Sequence, residues 1–147
     1  MTTPDSLSPR AAMLSSMLLE LIEILRDRQG DTWAAIMNIA SGKSATIAID
    51  EARIHVQVEG GQELQITISE AEPDATNDFE SNGLALRNIM FGKSTLEKSV
   101  ASGKIFIRAS FGDLLKIRSI VAAVLIASET DARLLSLWGR FDQEWRK

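Results

Sequence analysis

The stretch from Phe79 to Ala127 constrains the fold most, because its helix start and stop signals predict two short helices, a strand and a long apolar helix. Ser94 and Glu97 have the spacing of a capping box, in which a serine hydroxyl accepts a backbone N–H and a glutamate three residues on reaches back. We therefore expect a helix to begin at this box. Gly92 and Gly103 predict helix ends, because glycine adopts the left-handed conformation found there without steric cost.

The segment from Lys104 to Arg108 predicts a strand with Ile105 and Ile107 on one side and Phe106 on the other. We expect both faces of this strand to be covered. The next segment, Ile117 to Ala127, is apolar nearly all round, which predicts a helix buried on both sides. Two interpretations stay open. The helix is sandwiched between the sheet and the last helix, or it has one face on the sheet and one on a bound lipid.

These elements share a pattern with a known family, and the residues that carry it are Gly92-Lys93, Leu96, Val100 and Gly103-Lys104-Ile105-Phe106-Ile107. Over roughly Ser44 to Ala127 the chain resembles the type-2 sterol carrier proteins. It departs from the family pattern at Ala109-Ser110, where the family usually has Gly-Asp. The resemblance implies a sheet covered on one face by helices, with a fatty acyl chain or a sterol-like lipid held between them.

The resemblance also implies a ligand cavity lined by the inward apolar positions of the central elements. Those positions are Leu84, Phe91, Leu96, Phe106, Ile120 and Val124. Binding an acyl chain requires an apolar cavity of suitable shape that excludes water, rather than catalytic groups, because each buried CH₂ contributes about 0.8 kcal/mol. We therefore expect an apolar small molecule as partner, with no cofactor, metal or catalytic residue.

The residues before this stretch predict two helices. The first begins at Ser8-Pro9, which suit the cap and first turn, and it ends by Gly30. Asp31 is positioned to cap the second helix, which contains Trp33 as a core residue and stops at Gly42. The first helix has apolar residues on one broad face, as expected for a surface helix that packs on a core.

Alternating apolar residues then predict three strands that form an antiparallel meander. Their ranges are 44–49, 54–59 and 64–68, with Gly60-Gly61 supplying a tight hairpin between the last two. A short edge strand is expected over Thr76 to Phe79, and Ser81 or Asn82 begins the next helix. The whole pattern predicts an α+β fold with a five-stranded, mostly antiparallel sheet.

The carboxy-terminal helix, capped by Asp131, carries one apolar stripe at helical spacing. Its members are Leu134, Leu137, Trp138, Phe141 and Trp145. This stripe predicts either a lid over the apolar helix or an interface with a second copy of the chain. We expect a single sterol-carrier-like domain over 1–147, divided into amino-terminal helices (1–43), a core (44–127) and this amphipathic helix (128–147).

Charge and composition limit the possible partners. The net charge of −4 argues against general nucleic-acid binding, which needs a basic footprint. The longest apolar run, Ile120 to Ala127, is far short of the roughly 20 residues that span a bilayer, so no stable membrane anchor is expected. The beginning of the sequence lacks the order of a secretory signal, so we expect a cytoplasmic protein.

A group of basic residues near the central elements has two interpretations, solvated side chains or an attraction for an anionic head group or membrane. The group comprises Arg87, Lys93, Lys98, Lys104, Lys116 and Arg118. With screening over about 8 Å at physiological ionic strength, such an attraction weakens as salt rises.

Catalytic and phosphate-binding patterns are weak in this sequence. Gly42-Lys43-Ser44 and Gly92-Lys93-Ser94 lack the earlier glycine of a phosphate-binding loop and follow helices rather than strands. His55 is the sole histidine and has no adjacent catalytic partner. The chain contains no cysteine, which excludes thiolate nucleophiles and zinc–cysteine sites.

The sequence therefore predicts a non-catalytic intracellular module that binds or transfers lipid. The alternative is a non-catalytic domain of the same fold with a closed core, which interacts with other proteins or forms a homodimer.

Overall fold

The computed structural model of the protein describes residues 8–60 and 65–145. Its elements are α1 (Pro9–Arg28), α2 (Asp31–Ala40), β1 (Ser44–Ile49), β2 (Ala52–Glu59), β3 (Gln65–Glu70), β4 (Phe79–Ser81), α3 (Gly83–Met90), α4 (Leu96–Ala101), β5 (Ile105–Ile107), α5 (Phe111–Ser128) and α6 (Ala132–Trp145). The fold is α+β, as predicted.

The five strands form one mixed sheet in the order β3-β2-β1-β4-β5. Only the pairing of β1 with β4 is parallel, so the prediction of a mostly antiparallel sheet is confirmed. Register places Ile47 beside both Ile54 and Phe79, and Phe79 beside Ile107. Because side chains alternate between faces, these residues share the inner face, which the helices cover.

One strand prediction needs correction, and part of another lies outside the described residues. The expected edge strand at Thr76 to Phe79 is instead β4, which begins at Phe79 and lies inside the sheet. It is internal because β5 pairs with its second edge. Gly61 and Leu64 of the expected hairpin fall within 61–64, outside the described residues, although the antiparallel pairing of β2 with β3 is as predicted.

Several predicted helix ends are confirmed by the backbone. The Ser8 hydroxyl accepts a hydrogen bond from the backbone N–H of Ala11, and Pro9 occupies the first turn of α1. Gly42, Gly92 and Gly103 have φ angles of 74°, 74° and 77° where α2, α3 and α4 end. The two Gly-Lys-Ser tripeptides are thus helix stops, as their context indicates.

The capping box predicted at Ser94 is wrong by one residue. The Thr95 hydroxyl accepts a hydrogen bond from Lys98 N at 3.2 Å, so α4 begins at Leu96. Ser94 does not cap the helix because its own N–H still donates to the Asn88 carbonyl, in the turn that ends α3. The chain leaves one helix and enters the next within a few residues.

The starts of α2 and α5 are capped in different ways. Asp31 does not cap α2, because Gly30, with a φ of 89°, occupies the cap position and Asp31 is the first helical residue. Ser110 accepts a hydrogen bond from Asp113 N at 3.1 Å and caps α5. The Ala109-Ser110 segment therefore provides a competent helix start.

The expectation that α5 is buried on both sides is wrong. Of its residues only Ser128 is fully buried, and Phe111 and Ile126 are 77% and 67% exposed. The helix packs against α2, α4 and α6, whereas its residues Leu115, Ala122 and Ile126 are exposed. An apolar sequence sets a preference for burial, but the covering element has to exist in the fold.

Candidate functional site

The inner face of the sheet is apolar, but its two halves are covered to different degrees. Ile49, Ile54 and Val56 are buried under α1 and the end of α6. Apart from Ile105, which is buried, the remaining large apolar residues of this face are only half-buried; they are Ile47, Val58, Ile66, Ile68, Phe79 and Ile107. We call this less covered region, together with the helices above it, the α2/α5 side.

Apart from Trp33, the apolar helix residues of the α2/α5 side are also half-buried. They comprise Ile36, Met37, Ile117, Val121, Val124 and Leu125. Trp33 is buried among α1, α2, β2 and Val124, and it forms one wall of this region. Apolar side chains thus line the region from both layers while retaining partial exposure.

The residues predicted to line a cavity are not brought together. Leu84, Phe91 and Phe106 are 58%, 45% and 49% exposed, so the premise that they point inward is wrong. Phe106 lies on the outer face of the sheet, whose edge at β5 has no helix over it, so the prediction that both faces of β5 are covered is also wrong. The strand alternation was correct, but the described helices leave Phe106 exposed.

The other three predicted positions do lie on the helix side of the sheet. Leu96 is buried with Ala85 and Ile105, and Ile120 is half-buried on α5. Val124 packs into two clusters at once, around Trp33 and around Leu134. The predicted cavity residues did not include Ile117, Val121 and Leu125, which lie four residues apart on one face of α5. Their helical spacing was a signal that could have identified them.

The predicted stripe of α6 is buried within its own chain. Leu134, Leu137 and Trp138 pack against Ile24 of α1, and Phe141 and Trp145 pack into the main core. All five side chains are buried within their own chain, so they are not available for the alternative interface with a second copy. The lid interpretation also changes, because α6 covers α1, α3 and only the end of α5.

The end of α6 is fastened to the sheet through Trp145. Its Nε1–H donates to Asp50 Oδ2 at 2.8 Å, and the same oxygen accepts the Gly83 N–H at 3.0 Å. Arg10 lies over the Trp145 ring, 4.7 Å from its centre, and donates to the Trp145 carbonyl. We call these residues the Asp50–Trp145 knot. It joins α1, the β1–β2 turn, α3 and α6.

Two surface grooves lie away from the α2/α5 side. One, of about 500 Å³, separates α1 from α6 and is lined by ion pairs such as Arg133 with Asp27. The other, of about 310 Å³, lies on the outer sheet face beside Phe106 and Glu80. Their charged linings do not suit an acyl chain, because desolvating charges opposes apolar binding.

Asp131 directly precedes Ala132 and Arg133, which line the first groove, and it joins α1 to α6. Hydrogen bonds from Arg28 and then Arg133 lower the pKa of Asp131 from 3.8 to about 2. Arg28 contacts it at 2.8 Å, and Asp131 Oδ1 accepts from Arg133 N at 2.9 Å, as a helix cap would. The predicted capping role is confirmed, and the carboxylate also binds Arg28 of α1.

The acidic segment that connects β3 to β4, residues 71–78, is held to the sheet by Arg53. Its guanidinium donates to Asn77 Oδ1 at 3.1 Å and to the Ala75 carbonyl at 2.6 Å. His55, on the same outer face, is half-buried and has Thr46 Oγ1 at 3.4 Å from its Nδ1. Within the described ranges no group of three or more histidine, aspartate or glutamate side chains is arranged to hold a metal ion.

The predicted basic group divides into paired and unpaired members. Arg87 lies 2.7 Å from Asp142 Oδ1 and so serves the contact of α3 with α6. The other five are exposed and have no ion-pair partner within the described part of the chain; they are Lys93, Lys98, Lys104, Lys116 and Arg118.

Comparison of the chain with known protein families, curated proteins and solved structures finds no match. In the ranges 8–60 and 65–145, no helix is both long enough and apolar enough to cross a bilayer. The function therefore has to be argued from the contacts and exposure of the residues themselves.

Proposed function

We propose that the protein is a non-catalytic module that binds an amphiphilic lipid, with the acyl chain held on the α2/α5 side. The observation that carries the proposal is the incomplete burial of α5, an apolar helix of 18 residues in which only Ser128 is fully buried. Beneath it, Phe79 and Ile107 are also half-buried. An acyl chain between these layers would remove apolar surface from water, at about 0.8 kcal/mol per CH₂.

The contrast with the other half of the molecule supports this location. Around α1 and α6 the core is dense, with Leu134 fully buried and Leu137 only 2% exposed. A guest there would have to displace close-packed side chains, which costs stability. On the α2/α5 side it would add contacts to side chains that still have partial exposure. The arrangement is also the one that the resemblance to type-2 sterol carrier proteins implies.

A self-associating domain with a closed core is the second candidate. It is favoured by the exposure of Ile126 and Leu135, 67% and 48%, on adjacent helices. A contact between two copies at that surface would leave the α2/α5 side unoccupied. Light scattering on the purified protein separates this candidate from a lipid-binding monomer.

Enlarging Val121 is expected to block the ligand. Val121 is half-buried and packs against the same buried cluster as Phe79 and Ile107, so Val121→Trp adds bulk on the α2/α5 side. We expect at least tenfold weaker binding of a fluorescent fatty acid, equivalent to about 1.4 kcal/mol. Val124→Trp is a poorer test, because Val124 already belongs to two packed clusters.

The matched control is Ala122→Trp, one residue along the same helix on its exposed side. It adds the same indole ring without entering the interior, so binding is expected to stay within twofold of the unmodified protein. Thermal unfolding of both variants monitors the fold. Equal binding by the two variants, with both folded, would remove the α2/α5 side from the ligand site.

A further inference from the structure

The segment from the end of α3 to the second turn of α5 combines exposed apolar and unpaired basic side chains. Within the described ranges, nine large hydrophobic residues are exposed, and five of them fall between residues 91 and 115. Those five are Phe91, Val100, Phe106, Phe111 and Leu115. Four of them lie on elements that contact one another, because α4 packs against both β5 and α5, and Phe91 is the residue that ends α3. We call residues 91–118 the basic–apolar surface.

The charge of this surface is opposite to that of the chain. Residues 91–118 contain six basic and two acidic residues, a formal charge of +4, whereas the whole chain carries −4. One acidic residue, Asp113, is paired with Lys43 at 3.6 Å, and one basic residue, Arg108, lies 3.8 Å from Asp78. The remaining basic side chains extend into solvent.

Unpaired basic side chains are uncommon in the rest of the described molecule, which makes their number in residues 91–118 significant. Outside the basic–apolar surface, the described arginines and lysines contact carboxylates or backbone carbonyls, as Arg28 does with Asp131 and Arg140 with Glu20. Arg26 is the exception among the described residues. The unpaired basic residues are thus concentrated where the apolar side chains are exposed.

We propose that the basic–apolar surface docks on an anionic lipid bilayer. A bilayer interface accepts both components, because exposed apolar side chains enter the boundary between head groups and acyl chains while lysines and arginines contact anionic head groups. Phe111 is positioned for insertion, since it is the first residue of α5 and 77% of it is exposed. Lys98 lies on α4 and Lys116 on α5, two helices that pack against each other.

The choice of a bilayer over another anionic partner follows from the apolar residues. A nucleic acid or a soluble polyanion is bound chiefly through the charges, and its affinity would not require an exposed phenylalanine and leucine at the start of α5. The inference goes beyond the proposed acyl-chain site, because docking involves side chains on the outside of the molecule. Either statement can fail without the other.

The test is cosedimentation with phosphatidylcholine vesicles that contain or lack phosphatidylglycerol. We expect binding only to the anionic vesicles, weakening as salt rises to physiological strength, where charges are screened beyond about 8 Å. The double variant Lys98→Gln/Lys116→Gln is expected to bind about 25-fold more weakly, because each lysine near an anionic surface contributes roughly fivefold. Arg26→Gln, an exposed unpaired arginine on α1, is expected to leave binding unchanged.

The apolar contribution is measured with Phe111→Ser, which is expected to weaken vesicle binding at least tenfold. Leu19→Ser, which alters an exposed leucine on α1, is the control and should have no effect. Equal binding to vesicles with and without phosphatidylglycerol would overturn the inference. So would heparin binding that needs the lysines but not Phe111, or a dimer that Phe111→Ser dissociates without any vesicle binding. Fluorescent fatty acid binding, measured alongside, reports on the proposed function separately.

Discussion

Replacing Gly83 with alanine is expected to destabilise the protein by about 3 kcal/mol, at the upper end of the cost of overpacking a core. A Cβ at this position would lie 2.4 Å from Trp145 Cδ1 and 3.1 Å from Asp50 Oδ2. The indole ring would have to move, and its hydrogen bond to Asp50 would be lost with it. The variant thus opens the Asp50–Trp145 knot by adding one methyl group.

The same substitution at Gly139 provides a control of opposite sign. Gly139 lies within α6, and nothing approaches its added Cβ within 4 Å. Gly139→Ala is therefore expected to stabilise the protein by about 0.5–1 kcal/mol, because alanine lowers the conformational entropy of the unfolded chain. Urea unfolding of the two variants measures the difference. If Gly83→Ala were as stable as Gly139→Ala, Trp145 would not be seated against α3.

The Leu134→Ala substitution is expected to cost about 2–5 kcal/mol. Leu134 is fully buried, where it packs with Ile24, Leu137 and Trp138. Its neighbour Leu135 is 48% exposed, so Leu135→Ala should change the free energy of unfolding by less than about 0.5 kcal/mol. The two variants compare the same leucine-to-alanine change on the buried and the exposed face of α6.

This comparison decides whether α6 belongs to the core. A dispensable carboxy-terminal tail would make both leucine variants as stable as the unmodified protein. If Leu135→Ala instead lowered stability in a concentration-dependent way, α6 would be held by a second copy through its outer face. The large loss at Leu134 alone is the result expected for a helix clamped between α1 and α5.

The sequence predicted the elements well because their signals are local. Caps and left-handed residues act within a few positions, so Ser8 and Gly92 could be recognised from their neighbours alone. Thr95 replaced the predicted Ser94 as a cap because the end of α3 already bound the Ser94 amide. That competition depends on where two helices meet, which a spacing rule does not include.

The packing partners were harder to predict because apolar spacing marks a face without stating what covers it. The stripe of α6 was recognised in full, yet its contacts proved to be α1 and the sheet rather than the apolar surface of α5 alone. The same reason explains Phe106. Its alternation with Ile105 placed it on the second face correctly, but none of the described helices covers its side chain.

The Asp50–Trp145 knot was not predicted at all. Asp50 and Trp145 are 95 residues apart, and a surface aspartate in a turn has no sequence feature that indicates an indole partner. Gly83 gave a partial signal, because glycine in the first turn of a helix suggests a close approach by another group. The approaching group could be identified only from the fold.

The most direct test of lipid binding on the α2/α5 side is quenching of Trp33 fluorescence by a fatty acid brominated along its acyl chain. The chain has three tryptophans, and Trp33 is the one that lines this region. We expect saturable quenching that Trp33→Phe abolishes. Trp138→Phe should retain it, and this control replaces an indole N–H that has no hydrogen-bond partner within the described residues. Quenching that survives in Trp33→Phe, or none at saturating fatty acid, would contradict the account.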